Sequence, residues 1–281
     1  MRSSAKPAAM IIAAGLTLAA GAAAAQDALG HAVNWQTGFQ AATTEVADRT
    51  HGVHSVLLVI ITIITLFVVA LLGYTCFRFS AKNNPEPRRF THNTLVEVVW
   101  TIVPVIILAV IAGPSIRLLY FQEEIPPADI TIKGVGHQWN WEYTYPLADD
   151  QEINFTSIML EKDEAEAEDL PWLLATSDPL VVPVGKVVRL QLTASTVIHA
   201  WTVPSFGVKM DAVPGRLNET WFRPDVVGTF YGQCSELCGK DHSFMPIMVK
   251  VVPQEEYDAW VAENLAALDG GDQPTRLAEA R

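Results

Sequence analysis

The sequence predicts a two-helix transmembrane hairpin followed by an all-β sandwich or barrel. Half of the 281 residues are hydrophobic, and the long apolar runs fall within the first 120 positions, which points to membrane segments rather than one large soluble core. Beyond that point the pattern changes to short alternating segments separated by Pro and Gly. Charge divides at the same place. The first 120 residues carry 5 acids and 8 bases, a net of +3, and residues 121–281 carry 26 acids and 11 bases, a net of −15. So acidic a part excludes nucleic-acid binding, which needs basic surface. It suits a basic protein partner whose encounter it would steer, with plain solubility as the simpler alternative.

Residues 1–25 read as a signal peptide. Arg2 and Lys6 form the positive region, Ala8 to Leu18 the short apolar region, and Ala23 to Ala25 the small residues before a cut ahead of Gln26. Residues 26–52 are mixed and are expected on the outer membrane surface as a periplasmic N-terminal segment. The first span is residues 53–79, whose centre from Val56 to Leu72 has no charge. The second span is residues 95–120. It contains Pro104, Gly113 and Pro114, tolerated where neighbouring helices satisfy the freed carbonyls. The connecting loop, residues 80–94 with the flanking Arg78, carries Arg78, Lys82, Arg88 and Arg89 against Glu86, so it is cytoplasmic by the positive-inside rule. Both termini then lie outside the inner membrane, in agreement with export. Cys76 lies within the first span and reads as a membrane residue without chemistry. Glu97, near the cytoplasmic end of the second span, either snorkels to headgroups or serves a proton path.

Residues 128–253 form the expected β domain. Ile130 to Val135 and Val187 to Thr193 alternate, and His199 to Val203, Thr220 to Arg223, Gly228 to Tyr231 and Ile247 to Val252 follow as short strands. This spacing predicts an antiparallel sandwich or barrel. Glu161 to Asp169 is a charged insertion, expected as a solvated loop or short helix. Residues 254–281 read as a surface helix followed by a polar, mobile tail.

Within that domain, Cys234, Cys238, His242 and Met245 place four soft or borderline ligands in twelve residues. A disulfide would leave His242 and Met245 without a role. Structural zinc held by both cysteines, His242 and His199 has no use for a methionine. An ordinary blue copper site needs one cysteine, not two. Two cysteines in one loop can instead bridge two copper ions, with His199 and His242 ending one ion each and Met245 lying axial. Sharing one electron hole between two ions spreads the redox change in bond length and lowers reorganisation. His199 lies 35 residues before Cys234 on a predicted strand, so strand and loop would meet at one end of a sandwich, the geometry of a cupredoxin.

Four stretches carry a close resemblance: Glu97-Val-Val-Trp-Thr-Ile-Val-Pro104, Gly136-His-Gln-Trp-Asn-Trp-Glu-Tyr143, Pro214-Gly-Arg-Leu-Asn218 and the loop from Gln233 to Pro246. Together they resemble cytochrome c oxidase subunit II of the bacterial kind, over about Val53 to Val252. The resemblance implies a subunit that accepts electrons from cytochrome c at a dinuclear copper centre. It would pass them to haem in subunit I, where oxygen is reduced to water with proton translocation, and subunit III would complete the assembly. It implies Cys234 and Cys238 as bridging ligands, with His199, His242 and Met245 as the other side-chain ligands. Glu236 would give copper its backbone carbonyl and give its carboxylate to a magnesium ion shared with subunit I, a use that suits a hard cation. Trp139 would be the electron-input residue, and Glu97 the mouth of a proton channel. Read as a single strand, Trp139 and Trp141 share a face opposite Asn140, so the choice of Trp139 rests on the resemblance. The chain has Thr196 where the family commonly has Asp, and Asn140 where many members have Tyr. Docking would then lean on Glu142, Asp178 and Asp211. No Cys-x-x-Cys-His follows the domain in this sequence, so a fused c-type haem is not expected. Two alternatives share parts of the pattern: a copper-free quinol oxidase subunit II, and a membrane-anchored copper chaperone.

Overall fold

The computed structural model describes residues 30–86, 88–148 and 151–269. The expected signal peptide, residues 1–25, and the expected mobile tail after Asp269 lie outside them. The chain divides into a helical unit, Arg49–Phe121, and a second unit formed by the residues before and after it.

Two helices dominate the first unit, α1 (Glu45–Arg78) and α2 (Thr94–Glu123). Both are long and apolar enough to cross a membrane. Several of their hydroxyl groups donate back to the helix's own carbonyls, as hydrocarbon favours. Ser55, Thr62 and Thr65 donate to the carbonyls of His51, Leu58 and Ile61 at 2.9, 2.7 and 2.7 Å. Asn93 caps α2 by accepting from the Val96 N–H at 3.2 Å. Pro104 and Pro114 lie inside α2 without ending it. The Arg49 guanidinium lies 3.7 Å from the centre of the Phe121 ring, a cation–π contact. Cys76 is exposed on α1.

α1 begins eight positions before the apolar run predicts, because its first turn is fixed by tertiary contacts. Thr44 Oγ1 accepts from the Ala47 N–H at 3.1 Å and donates to the Phe206 carbonyl at 2.7 Å. Thr43 bonds Ser205 through its N–H at 3.0 Å and its hydroxyl at 3.1 Å, and the Asp225 N–H donates to the Thr43 carbonyl at 2.9 Å. The Tyr231 N–H reaches the Gly30 carbonyl at 2.8 Å. The segment expected on the membrane surface therefore contributes residues to the β domain. Gly207 is needed there: its φ is +67°, and a Cβ would lie 2.7 Å from the Ala47 Cα.

The β domain has ten strands among the described residues: β1 (Ile130–His137), β2 (Asn140–Pro146), β3 (Glu152–Ser157), β4 (Leu180–Pro183), β5 (Val188–Ala194), β6 (His199–Val203), β7 (Val208–Ala212), β8 (Asn218–Phe222), β9 (Gly228–Gln233) and β10 (Pro246–Val252). They form sheets ordered β3-β2-β1-β5-β8, β4-β10-β9 and β6-β7. The expected antiparallel pattern is broken twice, since β1 runs parallel to β5 and β4 parallel to β10. Both pairings join segments far apart in sequence, which local alternation cannot reveal. The result is a cupredoxin-like sandwich.

Alternation sends Val188, Leu190 and Leu192 of β5, and Trp141, Tyr143 and Tyr145 of β2, into one core. Trp201 stacks on Phe222 with ring centres 5.9 Å apart, and Phe206 on Phe222 at 4.9 Å. Each such ring buries roughly 150–250 Å², worth about 4–6 kcal/mol before entropy is charged against it. The charged insertion includes helix α3 (Lys162–Ala167), whose Ala165 is buried with Leu160, Ala175, Tyr231 and Met248. It is a small second core and not merely a solvated loop. α4 (Gln254–Asp269) closes the sandwich through Trp260, 5.0 Å from the Tyr145 ring.

Candidate metal centre

Three segments meet at one end of the sandwich: the start of β6, the β9–β10 loop and the β1–β2 turn. His199 opens β6 and is fully buried. Ala200, next in the strand, accepts from the Ser235 N–H at 3.0 Å, which pins the loop against the strand. Cys234 and Cys238 are buried, with their sulfurs 4.0 Å apart. That separation is twice the ~2.05 Å of an S–S bond, so the pair is two thiols. His199 Nδ1 lies 3.8 Å from Cys234 Sγ, and His242 Nδ1 lies 3.5 Å from Cys238 Sγ. Met245, also buried, places its sulfur 3.5 Å from Cys238 Sγ. The Glu236 carbonyl lies 3.3 Å from Cys234 Sγ, while the Glu236 side chain is exposed. The ligand atoms of His199, Cys234 and Cys238 lie within 4.8 Å of one another.

Electrostatics suits a cation. Burial, then the charges of His137 and His242, depress the His199 pKa to about 4, so its imidazole is neutral, the ligating form. Its Nε2 is buried without a hydrogen-bond partner among the described residues. Burial, then the neighbouring Cys234, pushes the Cys238 thiol up to about 12. Two thiolates this close would repel one another in a dry pocket, and a soft cation in place of their protons removes that cost. Two sulfurs, two imidazole nitrogens, a thioether and a carbonyl fit a copper pair. Zinc would leave the thioether unused.

Two glycines make the pocket possible. A Cβ on Gly136 would meet the His199 ring at 2.8 Å, and one on Gly239 (φ +128°) would meet the Trp139 ring at 2.9 Å. Trp139 is not on a strand with Trp141. Gln138 and Trp139 form the turn between β1 and β2, and Trp139, half-buried, donates from Nε1 to the Cys238 carbonyl at 3.2 Å. Trp141 lies in the core, edge-on to His199 at 5.9 Å. Alternation cannot separate the two because a two-residue turn interrupts it. Gln138 also escaped the sequence reading: its Nε2 donates to the same Cys238 carbonyl at 3.0 Å.

The remaining candidates lie elsewhere. Glu142 accepts from Asn154 at 2.8 Å and pairs with His137 at 3.1 Å, and the Asn154 bond above all holds its pKa below the usual value. Asp178 is half-buried, and its carbonyl accepts from the Ser157 hydroxyl at 2.7 Å. Asp211 is exposed and lines an open cleft with Lys209, Asn218 and Glu219. Glu97 sits in the first turn of α2, in the other unit.

Fold and site define a class: a cupredoxin-like domain carried on a membrane-spanning helix pair, with a soft-metal pocket at one end. The family model described as cytochrome C oxidase subunit II, transmembrane domain, matches residues 32–118, and the one described as its periplasmic domain matches residues 130–252. Probable cytochrome c oxidase subunit 2 of Rickettsia bellii is 50% identical over 84% of this chain and 87% of its own length. Cytochrome c oxidase subunit 2 of Cereibacter sphaeroides is 47% identical over 89% and 88%. The crystal structure of the periplasmic domain of subunit II of cytochrome oxidase of Bradyrhizobium japonicum is similar at 50% identity, covering 51% of this chain and 98% of that one, with a TM-score of 0.46. The chain belongs to the cytochrome c oxidase subunit II family, and so to a haem-copper terminal oxidase, an oxidoreductase complex.

Proposed function

We propose that the chain receives electrons singly from cytochrome c at a dinuclear copper centre and passes them to haem in subunit I. The observation that carries this reading is the donor set: Cys234, Cys238, His199, His242, Met245 and the Glu236 carbonyl converge in one pocket. When bound, the copper pair supplies a one-electron couple with little reorganisation. The protein's own part is to hold six donors on a β frame and to keep water from the sulfurs. Trp139 joins the surface to the site, since its half-exposed ring ends in a hydrogen bond on the carbonyl of a ligand cysteine. The exposed Glu236 carboxylate is free to hold magnesium jointly with subunit I. Glu97, at the start of α2, would open a proton path into that subunit. The basic loop after α1 supports a β domain on the periplasmic side of the inner membrane. Glu142, Asp178 and Asp211 would take part in docking cytochrome c, and subunit III would complete the complex.

Metal content and paramagnetic resonance of the purified full chain test the reading. Two coppers per chain, with hyperfine coupling shared equally between two nuclei, are expected. A single zinc, or a copper signal confined to one nucleus, would overturn it. Replacing Trp139 with Ala should slow electron input from cytochrome c by at least about tenfold, given loss of the bonded path, and leave copper bound. Unchanged input would remove Trp139 from the route.

A further inference from the structure

Gln138 and Thr196 lie on the surface, outside the metal pocket, yet together they bridge its two halves. Gln138 occupies the β1–β2 turn beside Trp139, and Thr196 lies in the β5–β6 loop three residues before His199. Thr196 Oγ1 donates to Gln138 Oε1 at 3.1 Å, and Gln138 Nε2 donates to the Cys238 carbonyl at 3.0 Å. The Trp139 indole donates to that same carbonyl at 3.2 Å. One backbone oxygen, on a ligand cysteine, thus accepts from two side chains. The loop holding Thr196 is itself anchored, since the Ser195 N–H donates to the Gly136 carbonyl at 3.0 Å.

The direction of each bond follows from chemistry. A carbonyl only accepts, so the amide nitrogen must face Cys238 and the amide oxygen must face Thr196. A hydroxyl can donate to that oxygen. A carboxylate at position 196 could not, because two acceptors would face one another. The hydroxyl of Thr196 therefore fixes which way the Gln138 amide points. Gly239 leaves the space, since a Cβ there would lie 3.3 Å from Gln138 Nε2.

We infer that Thr196 and Gln138 are positioning residues that set the reduction potential of the metal centre and hold Trp139 on the Cys238 carbonyl. The amide's positive end points toward the site and its negative end away from it. That dipole favours the state holding the extra electron. Losing it lowers the potential, and the Cys238 peptide, held by one anchor fewer, moves more freely and opens the Trp139 contact more often.

The proposal rests on the copper reading, and the test separates the two. In the full chain assembled in its oxidase, Thr196→Val and Gln138→Leu are each expected to retain copper. Each should lower the one-electron reduction potential by roughly threefold in equilibrium constant, about 28 mV at ~59 mV per tenfold. The double variant should fall no further than the lower single variant, because both act through one bond chain. Thr196→Ser should restore the wild-type value. Unchanged potentials, additive losses, or a serine variant that behaves like valine would overturn the proposal. A readout without metal stands beside these. In the metal-free full chain, Thr196→Val should speed solvent exchange of the Trp139 indole proton severalfold, and unchanged exchange overturns the inference. Absence of copper from the wild type would sink the copper reading and the potential-setting role with it, and the indole exchange would then decide whether Thr196 and Gln138 position Trp139.

Discussion

At Gly136 a single added carbon would lie 2.8, 2.9 and 3.1 Å from three atoms of His199. The imidazole is fully buried and pressed against Trp141, so it has nowhere to retreat. Gly136→Ala is therefore expected to displace His199 by a few tenths of an ångström and cost about 1–3 kcal/mol through overpacking. Copper stoichiometry measured beside circular dichroism checks this: metal should be lost or its spectrum changed while the sheet signal persists. Full loading with an unaltered spectrum would show that the pocket yields. The same scale explains why Trp139 and Trp141 differ in use. They are two positions apart in sequence, yet one lies in a turn on the Cys238 carbonyl and the other in the core.

Among the elements, α1 shows most clearly how local pattern and tertiary contact divide the work. Its apolar run sets the spanning part, but its first turn belongs to the β domain. Thr44 caps that turn and, with the same buried hydroxyl, bonds Phe206. Thr44→Val removes the cap and leaves the Phe206 carbonyl short of a donor, an expected loss of about 1–2 kcal/mol. Limited proteolysis before Glu45 should speed up in this variant, with copper content unchanged. Equal cleavage rates in the two proteins would show that Thr44 does not hold the segment. The β1–β2 hairpin is the second decisive element, because its turn carries both donors to the Cys238 carbonyl.

Across the whole molecule, charge is the dominant long-range property. The chain carries a net −12, and the part after residue 120 carries −15. Basic cytochrome c should therefore associate at a rate that falls by at least about tenfold between low and high ionic strength. The screening length shrinks from ~30 Å at 0.01 M salt to ~8 Å at 0.15 M, which removes the steering. Stopped-flow mixing measures it, and a rate independent of salt would mean that acidity serves solubility alone.

The sequence by itself determined the helix pair, the β class, the charge division and the candidate ligands from Cys234 to Met245. These are local properties. Twelve residues of loop cannot lie far apart, and an apolar run needs no partner to declare itself. The tertiary structure alone decided the rest. Gln138 and Cys238 are 100 positions apart, and Thr196 and Gln138 are 58 apart. Nothing in either neighbourhood signals those bonds, because they follow from the parallel pairing of β1 with β5 and from which loops that pairing brings to one end. The antiparallel pairing of β1, β2 and β3 ties Glu142 to His137 and Asn154, so a surface acid legible as a docking charge is already engaged by hydrogen bonds. Composition and spacing name the groups that can bind a metal; chain topology decides what orients them.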